Sequence, residues 1–275
     1  MPELPETETI ARDLDAQVAG ARIVQVRVIH HDVLREVSAA SFIQRTTGAA
    51  IARAWRRAKL VVVDLAAGDH VVVQPRFTGA LLLDDGTLPD RERAYAAVHW
   101  TLDDGRALLY RDIRRLGTVA LMSPGRFAEY SAALGPEPLD PAFTAAQLWA
   151  VLAASARPVK QVLMDQRRMA GIGNIYANEA LWRAGIDPSR PARSLSRDEA
   201  GALHDAITAV LRESIALRGT SFRDYRDAFG QAGGFVERLA AYGRAGQPCP
   251  RCGARLVGTH AIDGRSTVLC VRCQH

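Results

Sequence analysis

The chain has 275 residues, of which 48% are hydrophobic and 24% charged, with a formal net charge of +5 and a pI near 9.3. This composition is sufficient for a buried core and, by length, for one large domain or two ordinary ones. No run approaches the roughly 20 apolar residues of a membrane span, and the acidic start is unlike a signal peptide. We therefore expect a cytoplasmic protein without a membrane partner, and the positive charge favours an anionic one.

The N-terminus offers a candidate nucleophile. Removal of Met1 leaves Pro2 with a free secondary amine, and an α-amine titrates near about pH 8, so part of it is unprotonated at neutral pH. Such an amine can attack a sugar or carbonyl carbon to give an iminium, and the carboxyl of Glu3 can act beside it as a general acid or base. The alternative is that Pro2 and Pro5 simply start a helix.

The sequence of the first half of the chain predicts one helix followed by strands. Residues 6–18 predict an amphipathic helix because Ile10, Leu14 and Val18 recur every four residues before Gly20. Short β-branched runs separated by Asp-Gly or Gly-Asp turns follow, and they predict a β-sandwich or barrel. These runs cover residues 23–28, 60–65, 70–74, 80–83, 98–102, 107–110 and 118–122.

The pattern becomes helical after Gly135-Pro136-Glu137-Pro138, which places a domain boundary near residues 130–138. The predicted helices cover residues 144–154, 159–164, 174–184 and 197–218. Residues 219–243 are rich in glycine and polar residues and predict a mobile loop. The turn Gly171-Ile172-Gly173-Asn174 exposes backbone amides at a helix start, which suits a phosphate, although many such turns bind no ligand.

Four cysteines near the C-terminus predict a metal site. Cys249-Pro-Arg-Cys252 and Cys270-Val-Arg-Cys273 are separated by 17 residues, a spacing typical of a four-thiolate zinc ribbon. Two disulfides are the alternative, but they need an oxidising compartment that nothing else in the sequence indicates.

The segment between the cysteine pairs predicts a hairpin. Residues 257–269 contain a turn at Asp263-Gly264, and Arg265 lies just past its tip. Residues 244–275 carry five arginines and one aspartate, a formal charge of +4. Four thiolates and one Zn²⁺ reduce this charge to about +2, so the ribbon remains basic.

Five motifs along the whole chain together resemble one family. They are PELPETE at the N-terminus, RRAK at 56–59, LGPEPL at 134–139, LMDQ…GIGNIYANEALW at 163–182 and the terminal four-cysteine ribbon. On these motifs the chain is similar to the formamidopyrimidine-DNA glycosylase (Fpg) branch of the Fpg/Nei family.

The resemblance implies an α+β multidomain fold. Residues 1–132 would form a catalytic β-sandwich domain with flanking helices. Residues 133–243 would form a helix-two-turns-helix domain with a lesion-covering loop at about 219–242, and residues 244–275 a zinc ribbon with one structural Zn²⁺. The implied protein is a monomer that binds damaged double-stranded DNA between its two halves.

The resemblance also implies an activity in base excision repair. A bifunctional glycosylase and AP lyase would excise oxidised purines, such as 8-oxoguanine and formamidopyrimidines, and then cleave the strand by β,δ-elimination. Carried over by position, Pro2 would attack C1′ and Glu3 would donate a proton. Lys59 would contact a phosphate and donate a proton in β-elimination, and Arg265 would contact the same phosphate and assist δ-elimination.

Further positions of the family bind DNA. Asn174 would bind a phosphate, and Lys160 matches a basic position near the lesion; an ordinary solvated charge is the alternative for Lys160 and for Arg265. Base removal from a duplex requires extrusion of the nucleotide, and something must fill the gap. The family's three gap-filling positions match Phe77, Arg114 and Leu116, of which Arg114 can hydrogen-bond the orphaned base.

Several positions depart from the common pattern of the family. Where many Fpg proteins read HLGMSG, residues 74–79 read QPRFTG, so that Gln74 replaces a phosphate-binding histidine and Phe77 a methionine. DPRRFG becomes DIRRLG at 112–117, which places Leu116 at a phenylalanine position. Tyr95 stands at the position of a DNA-contacting histidine. Glutamine still offers a hydrogen bond to phosphate, and phenylalanine or leucine still fills a base stack.

Two other functions remain open from the sequence. An endonuclease VIII-like enzyme would remove oxidised pyrimidines, but PELPE and the long loop at 219–242 favour the purine branch. A zinc-ribbon protein that only binds nucleic acid would need no combination of Pro2, Glu3, Lys59 and Arg265.

Overall fold

A computed structural model describes residues 2–275, so the expected removal of Met1 concerns a residue outside the described ones. Within these residues the chain forms two compact units. The first comprises the N-terminal part up to Ala132 together with Ile215–Val236, and the second comprises Ala133–Ser214 together with Glu237–His275. Among residues 2–275, no helix has the length and apolar character needed to cross a membrane.

Helix α1 (Leu4–Val18) opens the first unit and begins two residues before the predicted start. Glu3 is its N-cap, and Pro5 lies in the first turn, where proline's missing N–H is not needed. The backbone N–H of Glu3 donates to Glu6 Oε2 at 2.8 Å, one half of a reciprocal capping box. The predicted apolar stripe is confirmed, because Ile10, Leu14 and Val18 are fully buried.

Nine strands of the first unit form two sheets. Their bounds are β1 (Ile23–Val28), β2 (Leu34–Arg35), β3 (Ile51–Arg57), β4 (Leu60–Leu65), β5 (His70–Gln74), β6 (Gly79–Asp84), β7 (Ala96–Leu102), β8 (Ala107–Asp112) and β9 (Thr118–Met122). The four-stranded sheet has the order β1-β7-β8-β6, and the five-stranded sheet the order β2-β9-β5-β4-β3. Neighbouring strands are antiparallel except for the parallel pair β2 and β9.

One apolar core lies between the two sheets. Ile23 and Trp100 of the four-stranded sheet pack with Val63 and Leu121 of the five-stranded sheet, and the buried stripe of α1 joins them. Such burial is worth roughly 2 kcal/mol for each large side chain. The β-sandwich prediction is therefore confirmed. β3 was not predicted, because its sequence IARAWRR alternates alanine and arginine and does not show an apolar run.

Three further helices of this unit were not predicted either: α2 (Ala39–Thr46), α3 (Asp90–Arg93) and α4 (Pro124–Ala132). α4 covers the outer face of the five-stranded sheet, where Phe127 packs with Leu60, Val62 and Val72. This cover explains why β4 is buried along its whole length.

The helical half contains α5 (Ala145–Ala153), α6 (Val159–Met164), α7 (Asn174–Ala184) and α8 (Arg197–Ala216). A turn at residues 166–168 and a bend at residues 169–171 join α6 to α7, which fits the predicted helix-two-turns-helix domain. The C-terminal hairpin is confirmed as β10 (Val257–Thr259) paired with β11 (Thr267–Leu269). Its connection spans residues 260–266, longer than a two-residue turn, with Gly264 at φ +73° donating to the carbonyl of His260 at 2.9 Å.

Candidate active site

The first turn of α1 and the turn between β3 and β4 lie side by side in the first unit. Pro2 and Glu3 are buried at the helix start. The hydroxyl of Thr7, one turn further along α1, donates to the carbonyl of Ala58 at 3.4 Å. Lys59 follows Ala58 in the two-residue turn and is only 9% exposed. The fold therefore brings the predicted nucleophile, acid and lysine into one neighbourhood.

Glu6 is a site residue that the sequence reasoning missed. It is buried, and its two carboxylate oxygens accept from different segments: Oε2 from the N–H of Glu3 at 2.8 Å and Oε1 from the N–H of Thr220 at 2.8 Å. The available signal was the spacing Glu3-x-x-Glu6 before an apolar helix, which is the pattern of a capping box. Glu6 thus joins the predicted acid to the predicted lesion-covering loop.

The loop from Gly219 packs on α1 within the first unit. Gly219 has φ +88°, and a Cβ there would lie 2.9 Å from Glu6 Cγ and 3.0 Å from Tyr225 Cε1, so only glycine fits. Arg218, at the base of the loop, bonds to both Asp13 and Asp227. Tyr225 of this loop is buried beside Glu6. Burial and then the negative charge of Glu6 raise the pKa of Tyr225 well above its usual value.

Two loops of the β-sandwich expose the three predicted gap-filling residues. Phe77 lies in the turn between β5 and β6 and is 51% exposed; Leu116 lies between β8 and β9 and is 40% exposed. Arg114 is exposed, and its guanidinium carbon lies 5.8 Å from the centre of the Phe77 ring. The structure therefore brings these three side chains together at one surface.

Gln74 and Tyr95, two further departures from the family pattern, also lie at the surface of this unit. Gln74 ends β5 and is half-buried, and its Oε1 accepts from Arg76 Nε at 3.4 Å. The Tyr95 side chain is exposed, while its backbone carbonyl accepts from the N–H of Asp112 at 3.0 Å. Tyr95 is thereby held beside the loop that carries Arg114.

The second unit brings Asn174 and the Arg265 loop together. Asn174 begins α7, as predicted from the glycine turn, and its Nδ2 donates to the carbonyl of Ser266 at 3.0 Å. Arg265 is exposed next to Ser266, and its backbone N–H donates to Asp263 Oδ1 at 3.0 Å. Arg265 lines a cleft of about 330 Å³ whose other lining residues are Arg157, Gln161, Met164, Asp165 and Asp263.

Lys160 is fully buried in the second unit. Its ammonium donates to Thr267 Oγ1 at 2.7 Å, to the carbonyl of Ser266 at 3.3 Å and to Asp263 Oδ1 at 3.4 Å. These acceptors flank Arg265 on the ribbon loop. The structure thus places Lys160 beneath that loop, and its predicted contact with DNA stays a prediction.

The four cysteines form one cluster with the geometry of a zinc site. Their Sγ atoms all lie within 4.8 Å of one another, whereas tetrahedral bonds of about 2.3 Å place thiolates about 3.8 Å apart. The sulfur atoms of Cys252 and Cys270 are 3.5 Å apart, too far for a disulfide of about 2.0 Å. The cluster fits one structural Zn²⁺, held by Cys249, Cys252, Cys270 and Cys273.

The surroundings of two of the cysteines shift the pKa values of their thiols in opposite directions. Burial disfavours ionisation of Cys249, but the backbone N–H groups of Arg251 and Cys252 outweigh it and lower the pKa of that thiol to about 6. Hydrogen bonding with Cys252 and then burial raise the pKa of Cys273 to about 12. A divalent cation bound by all four sulfurs favours the thiolate form of each.

Comparisons with known protein families cover most of the chain. Residues 1–119 match the family described as Formamidopyrimidine-DNA glycosylase N-terminal domain. Residues 134–226 match the Formamidopyrimidine-DNA glycosylase H2TH domain, and residues 246–275 match the Zinc finger found in FPG and IleRS.

Individual relatives cover the chain end to end. The Formamidopyrimidine-DNA glycosylase of Roseiflexus sp. (strain RS-1) is 41% identical over 275 residues, with all of both chains covered. The crystal structure of the MutM (Fpg) protein from Thermus thermophilus is 38% identical with a TM-score of 0.86, covering 99% of this chain and 98% of that one.

Solved complexes of a third relative contain DNA. The Lactococcus lactis Fpg was solved with DNA containing N7-benzyl-Fapy-dG and with DNA containing an oxidized pyrimidine. Each complex is 29% identical to this chain with a TM-score of 0.90, and each comparison covers all of both chains. The matching families, the full-length relatives and the geometry of both units agree, and the chain belongs to the formamidopyrimidine-DNA glycosylase family.

Proposed function

We propose that this chain is a bifunctional DNA glycosylase and AP lyase of base excision repair, which acts as a monomer on damaged double-stranded DNA. The observation that carries the proposal is the start of α1. There the segment Pro2-Glu3 is fixed by Glu6, and the turn of Lys59 lies against the same helix. A protein that only bound DNA would need neither a terminal amine nor a buried acid beside it.

The first chemical step uses the amine of Pro2. Its lone pair attacks C1′ of the damaged nucleotide, the bond from C1′ to the base breaks, and the base leaves with the electron pair. The amine loses its proton as the sugar opens to an iminium, and Glu3 donates a proton to the ring oxygen that is released. Water later hydrolyses the iminium and frees Pro2.

Strand cleavage follows from the iminium, which makes the C2′ proton acidic. Loss of that proton expels the 3′ phosphate in β-elimination, and a second elimination expels the 5′ phosphate. Lys59 supplies a charge and a proton at the leaving phosphate. Asn174 and Arg265 bind phosphate, and Arg265 assists the second elimination.

Residues of the exposed loops hold the opened duplex. Phe77 and Leu116 fill the stack after the damaged nucleotide leaves it, and Arg114 hydrogen-bonds the base opposite. Gln74, Tyr95 and Lys160 are further proposed DNA contacts. For Lys160, whose ammonium is buried, the contact would require the ribbon loop to move.

The substrate class proposed is an oxidised purine, such as 8-oxoguanine or a formamidopyrimidine. The loop at 219–242 supports it, because the loop matches in length the one that covers the everted purine in Fpg proteins, and its Thr220 donates to Glu6 near the segment Pro2-Glu3. An oxidised pyrimidine is the second candidate, because the Lactococcus lactis relative was solved with such DNA.

The proposed organisation has a catalytic sandwich domain at 1–132, a helix-two-turns-helix domain at 133–243 and a zinc ribbon at 244–275. The structural Zn²⁺ would fold the ribbon and present Arg265. The proposed location is the cytoplasm, where the enzyme meets the nucleoid.

Borohydride trapping tests the proposal. Protein whose N-terminal Pro2 is verified by mass spectrometry is mixed with duplexes containing 8-oxoguanine, an oxidised pyrimidine or an abasic site and is then reduced. We expect a covalent adduct with the 8-oxoguanine and abasic duplexes, and peptide mapping that places it on Pro2. An adduct on a lysine, or none with any duplex, contradicts the mechanism. Preferential trapping by the pyrimidine duplex supports the second candidate.

A further inference from the structure

The two loops that carry Phe77, Arg114 and Leu116 share one buried carboxylate. Asp112 ends β8 and is 2% exposed. Its Oδ1 accepts from Thr78 Oγ1 at 2.5 Å and from the N–H of Arg114 at 3.2 Å. Its Oδ2 accepts from the N–H of Gly117 at 2.7 Å and from the hydroxyl of Tyr110 at 3.1 Å. One side chain therefore bonds to the residue after Phe77 and to both ends of the Arg114–Leu116 segment.

A carboxylate suits this position better than any other side chain. Its two oxygens offer about four acceptor sites and no donor, which matches the four donors around Asp112. An asparagine keeps one acceptor oxygen, and its NH₂ group would face the two donors that now bond to the other carboxylate oxygen. The N–H of Arg114 would keep Thr78 Oγ1, at 3.0 Å, as an acceptor, but the buried donors that face the NH₂ group would lose theirs.

The backbones of the two loops approach each other closely around Asp112. A Cβ on Gly117 would lie 2.6 Å from the carbonyl oxygen of Gln74 and 2.7 Å from that of Pro75. A Cβ on Gly79 would lie 2.8 Å from the Tyr110 hydroxyl. The two loops thus pack backbone to backbone, and they form one surface.

Each loop also contains a residue in a conformation that needs outside support. Arg76 has φ +53° and Arg115 has φ +51°, in the left-handed region that is unfavourable for residues with a side chain. Such residues persist where surrounding bonds fix the backbone. The bonds to Asp112 lie on both sides of Arg115, and one lies two residues after Arg76.

We propose that Asp112 is a positioning residue that couples the two loops, so that filling the base stack and contacting the opposite base occur as one event. This inference rests on the proposed function. Asp112 does not touch DNA; it acts through Phe77, Arg114 and Leu116. Loss of its charge would leave the three side chains present but no longer held in one arrangement.

The test compares Asp112→Asn and Thr78→Val with wild type and with Asp103→Asn. Asp103 is an exposed carboxyl of the same unit, and its Oδ1 accepts from the N–H of Arg22 at 3.1 Å. Each protein is assayed on 8-oxoguanine duplexes with cytosine or adenine opposite, and on a single-stranded abasic oligonucleotide. Single strands need no stack filling, so they report the chemistry alone. A 2-aminopurine next to the lesion reports unstacking by its fluorescence.

We expect Asp112→Asn to lower duplex excision roughly tenfold to a hundredfold, with a smaller loss for Thr78→Val, because buried donors lose their partner. Discrimination between cytosine and adenine should fall together with the 2-aminopurine signal. Cleavage of the single strand should stay within about twofold of wild type. Asp103→Asn should match wild type throughout.

Other outcomes separate the inference from the proposed function. If wild type cleaves none of the substrates, the proposed function itself fails. If wild type is active and both variants keep full duplex excision and discrimination, the coupling by Asp112 is refuted. Equal losses on duplex and single strand in both variants also overturn it, because the carboxylate then supports only the general fold.

Discussion

The ammonium of Lys160 and the hydroxyl of Thr267 lie 2.7 Å apart in the interior of the second unit. This bond joins α6 to the first residue of β11, two positions after Arg265. Gln161 reinforces it, because its Nε2 donates to the carbonyl of Ile262 on the same loop. The loop that presents Arg265 is therefore held from α6 as well as by the zinc cluster.

Replacing Lys160 by methionine should free this loop. Asp263 and Thr267 would lose a buried cationic partner, and removal of one partner of a buried pair costs about 3 kcal/mol. We expect δ-elimination to slow more than base excision, because Arg265 is the residue proposed to assist δ-elimination. Urea unfolding of the zinc-loaded protein measures the stability, and the ratio of β- to δ-elimination products on an abasic duplex measures the second effect.

A direct contact between Lys160 and DNA makes a different prediction. Lys160→Met would then keep its stability and its product ratio but bind DNA with a shallower dependence of affinity on salt. Arg193→Met, which removes an exposed charge of the same unit, serves as the control. A shallower salt dependence without loss of stability would contradict the positioning role.

Glu3→Gln should separate base excision from strand cleavage. Glutamine preserves the size of the side chain but cannot donate the acidic proton, and general acid catalysis contributes about a hundredfold to ten thousandfold. We expect excision of 8-oxoguanine to fall by such a factor while cleavage of a preformed abasic site falls less, because the ring of an abasic sugar opens to the free aldehyde without a proton from Glu3. Single-turnover rates on the two duplexes provide the measurement. An equal loss on both would instead indicate that Glu3 acts after the iminium has formed.

The sequence was most informative where the local pattern alone decides structure or chemistry. The four-residue spacing of Ile10, Leu14 and Val18 fixes one buried face of α1, and the CxxC pairs define the thiolate cluster. Both signals are local, so both could be predicted. The terminal amine alone suggested Pro2 as a nucleophile, whereas the proposed role of Arg265 came only from the family motifs.

Other features depend on contacts between distant parts of the chain. β3 was missed because its burial depends on other elements: only Ile51 and Ala54 are buried, and the side chain of Arg56 is 9% exposed because it pairs with Glu8 of α1. Glu6 bonds to Thr220, more than 200 positions away, and Lys160 is buried by a loop about 100 positions away. A charged residue in the sequence suggests exposure, and only the tertiary structure shows where a partner makes burial favourable.

Removal of zinc should unfold the ribbon. The ribbon has two strands of three residues each and a small apolar cluster around Leu256 and Val268, which is too little core to fold alone. Chelation, or Cys252→Ser, should therefore abolish duplex binding while leaving the first unit folded. Fluorescence anisotropy with labelled duplex measures the binding. Atomic absorption measures the zinc content, and circular dichroism shows whether the first unit stays folded. Full affinity in metal-free protein would show that the ribbon is not needed for binding.

Gly219→Ala should disturb the loop that packs against Glu6 of α1. The left-handed φ and the close approach of Glu6 and Tyr225 give an expected loss of roughly 1–2 kcal/mol in stability. The rearrangement reaches Glu6, so excision should fall more than cleavage of abasic DNA. Gly201→Ala on α8 is the matched control, because a Cβ there meets open space and should stabilise the helix by up to about 1 kcal/mol. Unchanged excision by Gly219→Ala would rule out a tight fit against Glu6.

The pair Asp84 and Arg93 should make the first unit sensitive to acid. Arg93 donates to both oxygens of Asp84, at 2.7 and 2.9 Å, and this hydrogen bonding lowers the pKa of the Asp84 carboxyl. Because the folded pKa lies below the unfolded value of about 3.9, the pair stabilises the fold above that value. The contribution disappears as the pH falls through the folded pKa.

Asp84→Asn should consequently be less stable than wild type at neutral pH, with a difference that shrinks below about pH 4. The effect should be small, since Arg93 is partly exposed and solvent screens the pair. The loss of stability should also affect the loop that carries Phe77. Helix α3 contains Glu92, which accepts from Arg111, and Arg111 donates to the carbonyl of Thr78 in that loop. Urea midpoints measured across the acid range test this. In an Arg93→Met background the pH dependence of Asp84→Asn should shrink but not vanish, because the backbone N–H groups of Gly86 and Leu88 also lower the pKa of Asp84. An undiminished dependence there would show that Arg93 does not contribute to it.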